Sequence, residues 1–374
     1  MQVPLLDLKS QYNSIKPEID EAISRTVETQ NLILSQEVSD FEKEIAEYSG
    51  VPYTAGVASG TDALILALKA IGIGSGDKVI TTPFTFFATG EAISMLGGIP
   101  VFVDVDPETF NIDPKKIEEV LEKEQGKGAK AIIPVHLYGQ CADMDSIVAI
   151  ADKYDLKIVE DCAQAIGATY KGRQAGSFGS AGCLSFFPSK NLGGFGDGGM
   201  VVSTDLAVID KIKSLRVHGS RRKYIHDELG WNSRLDSLQA AVLRVKLKKL
   251  NEWLDGRRRN AEKYDQALSS LGIVTPKVDE GNVHTYHQYT ILVDSRDDLM
   301  EYLDSKGIAA RVYYPVPLHL QPCYQFLGYS EGSLPVSEEL SKKVLSLPIY
   351  PELTDEKTNY IIENIANFFK NREN

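Results

Sequence analysis

The chain has 374 residues, of which 43% are hydrophobic and 25% are charged, proportions typical of a globular protein of about two domains. Lys and Arg total 40 against 52 Asp and Glu, and the resulting formal charge of −12 disfavours non-specific binding to nucleic acid or to anionic membranes. No apolar run approaches the roughly 18 residues of a membrane span, so the sequence predicts no membrane-spanning helix.

The first ten residues do not form the apolar stretch of a secretory signal, because Asp7 and Lys9 interrupt it. Four cysteines lie far apart, without a CxxC pair or a histidine at ligand spacing: Cys141, Cys162, Cys183 and Cys323. This pattern favours buried free thiols over a disulfide framework or a zinc site. We therefore expect a cytoplasmic protein without a metal.

From residue 35 the sequence alternates helical and strand-like patterns. Ser35 is a typical N-cap, and Val38, Phe41 and Ile45 share one face of a helix that Gly50 ends. Seven strand-like runs are YTAGVA, DKVITT, PVFVDV, AKAIIPV, LKIVEDC, AGCLSFF and GGMVVST. Several are apolar throughout, as parallel strands are when helices cover both faces. The pattern predicts an α/β fold with ligands at the carboxyl ends of its strands.

The second half of the chain has a different pattern. Residues 235–268 form a long, charged helical segment with the basic runs KLKKL and GRRRN, which we interpret as a solvated helix face. The rest mixes the strand-like runs HQYTILV and ARVYYPV with two helical stretches. We predict a large α/β domain over residues 1–245 and a smaller C-terminal α+β domain over residues 246–374.

The glycine motifs leave one candidate phosphate site. A GxxxxGK[ST] sequence is absent, which excludes a P-loop. Gly194, Gly196 and Gly199 match GxGxxG, but a strand rather than a helix follows them, so we interpret this segment as a turn. In ASGTDAL a strand leads into a helix. Its start is either a phosphate cradle or a simple N-cap formed by Ser59 or Thr61.

Two charged residues stand where an α/β sheet places functional groups. Asp161 ends the strand KIVED, where it could bind a metal, act as a base, pair with a cationic ring nitrogen or merely cap the next helix. A metal is disfavoured, because no second carboxylate or histidine follows at ligand spacing. Lys190 follows the strand CLSFF in a Pro/Ser/Gly loop and would, alone, be a solvated charge. An anion cradle, a carboxylate and a loop lysine are together the parts that pyridoxal phosphate (PLP) requires.

Seven segments in chain order carry a family resemblance: ASGTDAL, PFTFFAT, VHLYGQCADMD, VEDCAQAIGA, SFFPSKNLGGFGDGG, RVHGSRRKY and GWNSRLDSLQAAVLR. They resemble the DegT/DnrJ/StrS family of PLP-dependent sugar aminotransferases, which have the aspartate aminotransferase-like fold, fold type I. The resemblance implies a large, mostly parallel α/β domain, a smaller C-terminal domain, and a homodimer with shared active sites. It also implies transfer of an amino group from L-glutamate to a dTDP- or UDP-linked keto hexose, at carbon 3, in amino-sugar and lipopolysaccharide biosynthesis.

The resemblance further implies roles for individual residues. Lys190 matches the catalytic Schiff-base lysine, and Asn232 matches a phosphate ligand that the partner subunit contributes. The cofactor-binding residues that it implies are Gly60, Thr61, Phe86, Asp161, Gln164, Ser185, Lys190 and Asn232. The substrate-binding residues that it implies are Arg234, Tyr314 and His319.

Some alternatives stay open at the level of sequence. Tyr313 stands where some members of the family have histidine, which leaves the exact sugar undetermined. His218 fits either a contribution to the site or a structural hydrogen bond. Two other functions remain possible for such a chain: a non-catalytic PLP-binding regulator, and an NAD-dependent dehydrogenase built on a similar sheet.

Overall fold

The computed structural model describes residues 1–372. The strands in this range are β1 (Tyr53–Val57), β2 (Lys78–Thr81), β3 (Ile99–Phe102), β4 (Ala129–Ile133), β5 (Lys157–Asp161), β6 (Thr169–Tyr170), β7 (Arg173–Gln174), β8 (Ala181–Ser185), β9 (Gly199–Ser203), β10 (Ser220–Arg222), β11 (Ile225–His226), β12 (Asn282–Val283), β13 (Tyr289–Leu292) and β14 (Val344–Leu347). The α-helices are α1 (Leu8–Ser14), α2 (Lys16–Thr29), α3 (Gln36–Ser49), α4 (Gly60–Ala70), α5 (Phe87–Met95), α6 (Pro114–Leu121), α7 (Met144–Tyr154), α8 (Leu206–Leu215), α9 (Ser237–Leu247), α10 (Leu250–Ser269), α11 (Arg296–Ser305), α12 (Pro335–Lys343) and α13 (Asp355–Lys370).

A seven-stranded sheet with the order β1-β9-β8-β5-β4-β2-β3 forms the centre of the molecule. Strand β9 is antiparallel to both of its neighbours, and the other pairs are parallel. The predicted α/β fold with a mostly parallel sheet is therefore confirmed. The glycine run before β9 leads into a strand, as its interpretation as a turn requires. In the pair β5–β8, Asp161 is opposite Cys183, so these two strands end at the same edge of the sheet.

Apolar residues fill both faces of the sheet. In β4 the neighbours Ile132 and Ile133 are both fully buried, yet they belong to two different apolar clusters on opposite faces. Val79 and Ile80 of β2 divide in the same way. This arrangement explains why the strand-like runs are apolar throughout instead of alternating.

A third apolar cluster lies in the C-terminal part of the chain, where β13 and β14 form an antiparallel pair. The N-terminal residue Val3 also belongs to it. The Val3 N–H donates to the Gly307 carbonyl at 2.8 Å, and the Val3 carbonyl accepts from the Ala309 N–H at 2.9 Å. The N-terminus is thereby attached to the C-terminal part. The division at residue 245 stays a prediction, and residues 373–374 of the smaller range lie outside the described residues.

The structure corrects several details of the second half. The long segment is two helices, α9 and α10, instead of one. The run ARVYYPV is not a strand, because only Arg311 forms an isolated bridge, to Ser346 of β14. The basic runs are not a uniformly solvated face, because Lys246 and Arg257 are buried. The Lys246 ammonium donates to the Gly193 carbonyl, which compensates in part for its lost hydration.

The cysteines also differ from expectation at one position. Cys141, Cys162 and Cys183 are buried free thiols, whereas Cys323 is free but exposed, in a short 3₁₀ turn. Within residues 1–372, the structure contains no helix with the length and apolar character that crossing a membrane requires.

A buried carboxylate anchors the end of β5. Glu160 Oε1 accepts the N–H groups of Phe178 and Gly179 at 2.7 and 2.8 Å, and Oε2 accepts that of Gly176 at 2.8 Å. The His136 Nε2 lies 3.0 Å from Oε2, while His136 Nδ1 accepts the Ala142 N–H. Imidazole with Nδ1 as acceptor carries its proton on Nε2, so His136 donates to Glu160.

This network generates a test of stability. We expect Glu160→Ala to lower the free energy of unfolding by about 3–5 kcal/mol, because it leaves several buried donors without an acceptor. Urea denaturation of the apoprotein measures the loss. The control Glu122→Ala removes an exposed carboxylate and is expected to change stability by less than about 0.5 kcal/mol. Equal stabilities of the two variants would contradict the anchoring role.

Candidate active site

A cavity of about 440 Å³ opens at the edge of the sheet where β5 and β8 end. Eight of the eleven site residues expected from the sequence line it: Gly60, Thr61, Phe86, Asp161, Gln164, Ser185, Lys190 and Tyr314. They come from segments more than 250 residues apart in the chain. Their convergence in one cavity follows from the parallel strand order, which gathers the carboxyl ends of the strands.

One side of the cavity is an anion cradle at the start of α4. The Ser59 hydroxyl caps this helix by accepting the Asp62 N–H at 3.0 Å, so the capping interpretation holds for Ser59. Gly60 and Thr61 then occupy the first turn beside Ser185. A Cβ at position 60 would lie 2.6 Å from the Ser185 Cβ, so only glycine allows this close approach. Hydroxyls and N–H groups at a helix N-terminus suit a phosphate.

Asp161 is held in place by two hydrogen bonds. Its Oδ2 accepts from the Thr89 hydroxyl at 2.8 Å, and its Oδ1 accepts the Ala163 N–H at 3.1 Å. The side chain is buried and faces the cavity. The Asp161 carboxylate therefore binds the N–H of the following turn and also faces the cavity. A capping role and a role as the partner of a cationic ring nitrogen are thus compatible.

A polar and aromatic wall lies next to Asp161. Gln164 Oε1 accepts the Tyr138 N–H at 2.7 Å, and its Nε2 donates to the Tyr314 hydroxyl at 3.0 Å. The Tyr314 ring centroid is 6.2 Å from that of Phe86. Burial raises the pKa of the Tyr314 hydroxyl, so this group stays protonated at neutral pH. Phe86 is exposed to the cavity and offers a flat apolar face.

Lys190 lies in the loop after β8, as the sequence predicts. Its own N–H donates to the Phe187 carbonyl at 2.8 Å, which fixes the turn that carries the side chain. Burial lowers the pKa of the Lys190 ammonium to about 8, and the negative charge of Asp161 opposes this shift. The lowered pKa increases the share of neutral amine, which is the form that acts as a nucleophile and base.

Three of the expected residues do not line the cavity of this chain. Asn232 is exposed and forms an isolated antiparallel bridge with Val217. Arg234 is partly buried, and its Nε has no partner among residues 1–372. His319 is buried, with Nε2 at 3.0 Å from Glu338 Oε1. Its match to a substrate-binding position stays a prediction.

Other cavity residues carried no recognisable signal in the sequence. They are Arg257 of α10, His287 and Gln288 before β13, and Leu5 and Leu6 at the N-terminus. Arg257 was hidden in the basic run GRRRN, where it looks like one more solvated charge. The others reach the cavity through contacts between distant parts of the chain, which spacing along the sequence does not reveal.

The residues of the cavity fit PLP. Gly60, Thr61 and Ser185 form a cradle that suits its phosphate, and Asp161 is a buried carboxylate suited to a cationic ring nitrogen. Lys190 supplies an amine with a lowered pKa. An anion site, a carboxylate and an amine thus share one cavity.

Comparisons with known proteins agree with this geometry. Residues 13–366 match the DegT/DnrJ/EryC1/StrS aminotransferase family. A pleiotropic regulatory protein of Geobacillus stearothermophilus is 49% identical over 374 residues, with 99% of each chain covered. The UDP-N-acetyl-3-dehydro-α-D-glucosamine 3-aminotransferase of Acidithiobacillus ferrooxidans is 46% identical over 355 residues, with 95% of each covered.

A solved structure shows the same likeness in three dimensions. S. venezuelae DesV, in complex with a ketimine intermediate, has a TM-score of 0.95 and 42% identity, with 98% of each chain covered. Such agreement over nearly the whole length leaves no room for the dehydrogenase alternative. The chain belongs to the DegT/DnrJ/EryC1/StrS aminotransferase family and is a PLP-dependent aminotransferase.

Proposed function

We propose that this enzyme transfers the amino group of L-glutamate to the 3-keto group of a dTDP- or UDP-linked hexose. The products are 2-oxoglutarate and the 3-amino sugar nucleotide. The observation that carries the proposal is the presence of Lys190 and Asp161 in one cavity beside an anion cradle. The choice of carbon 3 is supported by relatives such as the Acidithiobacillus 3-aminotransferase.

Seven of the cavity residues would hold the cofactor. Gly60, Thr61 and Ser185 would bind the phosphate, and Phe86 would offer its ring face to the cofactor ring. Asp161 would keep the ring nitrogen protonated, Gln164 would contact the ring's phenolic oxygen, and Lys190 would bind the aldehyde carbon. Bound PLP supplies an electron sink that acidifies the C–H bond next to the substrate nitrogen.

Lys190 moves the proton in this reaction. As a neutral amine, Lys190 would remove the proton from the amino-bearing carbon of glutamate. The resulting ammonium would return that proton to the aldehyde carbon of the cofactor. The lowered pKa of Lys190 permits both roles near pH 8, because neither protonation state is strongly disfavoured. Thr89 keeps Asp161 oriented throughout the cycle.

We also infer a homodimer in the cytoplasm, with active sites shared between subunits. Asn232 is exposed outside the cavity of its own chain, which suits a residue that completes the cavity of a partner. Arg234 of the partner subunit would lie close to Asn232 and face the sugar. In a uronic acid substrate, its guanidinium would suit the carboxylate of the sugar. Tyr314 lines the cavity of the same chain as Lys190, where it would contact the substrate.

The first test concerns Lys190. We expect Lys190→Ala to fold, since it changes a loop side chain, but to lose turnover and the covalent attachment of PLP that borohydride fixes. Mass spectrometry of the reduced protein locates the attachment. Lys171→Ala, which removes an exposed lysine, is the control and should retain both properties.

Two results would overturn the assignment: attachment of PLP to another lysine, or full turnover in Lys190→Ala. A wild-type enzyme whose bound cofactor does not respond to glutamate would favour a regulatory protein instead.

The second test concerns the charge of Asp161. Asp161→Asn removes the anion that favours the Lys190 ammonium, so we expect the pKa of Lys190 in the apoenzyme to fall below about 8. The pH dependence of Lys190 acetylation, followed by mass spectrometry, measures this shift. We also expect the reaction with glutamate to slow by about 100-fold or more, because stabilisation of the ring charge is lost. An unchanged pKa together with normal turnover is the contrary result.

The third test concerns the shared site. Asn232→Asp places a carboxylate against the phosphate, and we expect it to inactivate the homodimer. Co-expression with Lys190→Ala yields heterodimers in which one site has both wild-type residues and the other site has both defects. Activity in the purified heterodimer, absent from both parent homodimers, is the expected result. An inactive heterodimer that nevertheless forms would show that each chain completes its own site.

A further inference from the structure

Arg257 is a buried charge without an acidic partner. Its side chain in α10 is 3% exposed and lines the cavity together with Lys190 and Gln288. Among residues 1–372 it forms no ion pair, and Glu352 acts on it only at longer range. Burying an unpaired charge is costly, so a guanidinium in this position requires a compensating interaction.

Hydrogen bonds to the backbone fix one edge of this guanidinium. Arg257 Nη1 donates to the carbonyls of Ile349 at 2.8 Å, Tyr286 at 3.0 Å and His287 at 3.4 Å. All three of these hydrogen bonds leave from Nη1. On the other edge of the guanidinium, Nε and Nη2 form the planar pair of donors that matches the two oxygens of a carboxylate.

Neighbouring polar atoms also lack partners. His287 Nδ1 and Gln288 Oε1 are both buried, and neither has a hydrogen-bond partner in the described chain. Both residues line the same cavity as Arg257. Buried polar atoms are normally hydrogen-bonded, so two orphaned atoms at one wall are an independent indication of a ligand there. Because the Gln288 oxygen can only accept, this ligand must carry a donor as well, as an amino acid does in its amino group.

The charges that line the cavity limit which ligand this wall can take. The ionisable side chains that line the cavity within residues 1–372 are Asp161, Lys190, Asp197, Arg257, His287, Tyr313 and Tyr314. Burial and the charges of Lys190 and Arg257 lower the pKa of His287, so its ring is neutral. Burial lowers the pKa of Arg257 only to about 10, so it remains charged at pH 8. With Lys190 engaged in proton transfer, Arg257 is the cation left for an anionic ligand.

We propose that Arg257 binds the α-carboxylate of the amino donor through Nε and Nη2. This inference rests on the proposed function, in which glutamate and 2-oxoglutarate both enter the cavity in every cycle. Each of them carries an α-carboxylate beside the reacting carbon, whereas a neutral hexose carries none. The residues proposed to hold the phosphate of PLP lie at the start of α4 and the end of β8, whereas Arg257 belongs to α10.

The role of Arg257 in the donor reaction separates it from Arg234. Arg257 would serve the amino acid, and Arg234 of the partner subunit would serve the sugar. Substitution of Arg257 should therefore slow the half-reaction with the amino acid and leave the half-reaction with the sugar unchanged. A residue that only braced the backbone of Tyr286 and Ile349 would affect both halves equally.

The experiment compares Arg257→Gln and Arg257→Lys with the control Arg259→Gln, which changes an exposed neighbour in the same helix. Calorimetry measures the Kd of 2-oxoglutarate for the pyridoxamine phosphate form. Single-turnover absorbance measures the half-reaction with glutamate and the reverse half-reaction with a 3-amino sugar nucleotide. We expect Arg257→Gln to weaken 2-oxoglutarate binding about 10-fold or more, and Arg257→Lys to restore part of it. The sugar half-reaction should change by less than about 2-fold.

Analogues of the amino donor show which of the two carboxylates of glutamate Arg257 binds. Glutamine keeps the α-carboxylate, whereas isoglutamine has an amide there. We expect Arg257→Gln to slow the half-reactions of glutamate and glutamine alike and to have little effect on that of isoglutamine. Because this comparison is made within each folded protein, Arg257→Lys suffices for it if Arg257→Gln does not fold.

Several outcomes would overturn the proposal. They are equal losses in both half-reactions, a loss confined to uronic acid sugars, or an effect that persists with isoglutamine. Failure of the wild-type enzyme to react with glutamate would instead overturn the proposed function, so the two failures are distinguishable.

Discussion

The placement of one amine and one buried carboxylate in a single cavity is the constraint on which the site depends. Loss of hydration lowers the pKa of Lys190 to about 8, and the charge of Asp161 limits how far it falls. Strands β5 and β8 are parallel neighbours, so their ends bring these two residues to the same edge of the sheet. The order of the strands thus determines the chemistry that the lysine can perform.

Strand β5 uses two adjacent acids for two purposes. Glu160 and Asp161 point to opposite faces of the sheet, as neighbouring residues of a strand must. Glu160 accepts backbone N–H groups of residues 176–179 and a proton of His136, which makes its side of the strand rigid. Asp161 faces the cavity and, within residues 1–372, its carboxylate accepts two hydrogen bonds, from Thr89 and Ala163. The structural acid thereby supports the position of the functional one.

The sequence predicted the parts of the molecule that local patterns determine. The α/β alternation, the turn before β9 and the positions of Asp161 and Lys190 after their strands all agree with the structure. Contacts between distant segments could not be predicted in this way. Arg257 looked solvated within GRRRN, yet carbonyls from residues 286–287 and 349 surround it. His319 matched a motif, yet its ring is buried against Glu338.

The central claim is that the enzyme moves nitrogen from glutamate to carbon 3 of a keto sugar nucleotide. The most direct measurement supplies ¹⁵N-glutamate and a panel of dTDP- and UDP-linked keto hexoses, neutral and acidic, and locates the label in the product by NMR. The account predicts ¹⁵N on carbon 3 of one substrate class, with 2-oxoglutarate formed in equal amount. Label on another carbon, or 2-oxoglutarate without a labelled sugar, would contradict it.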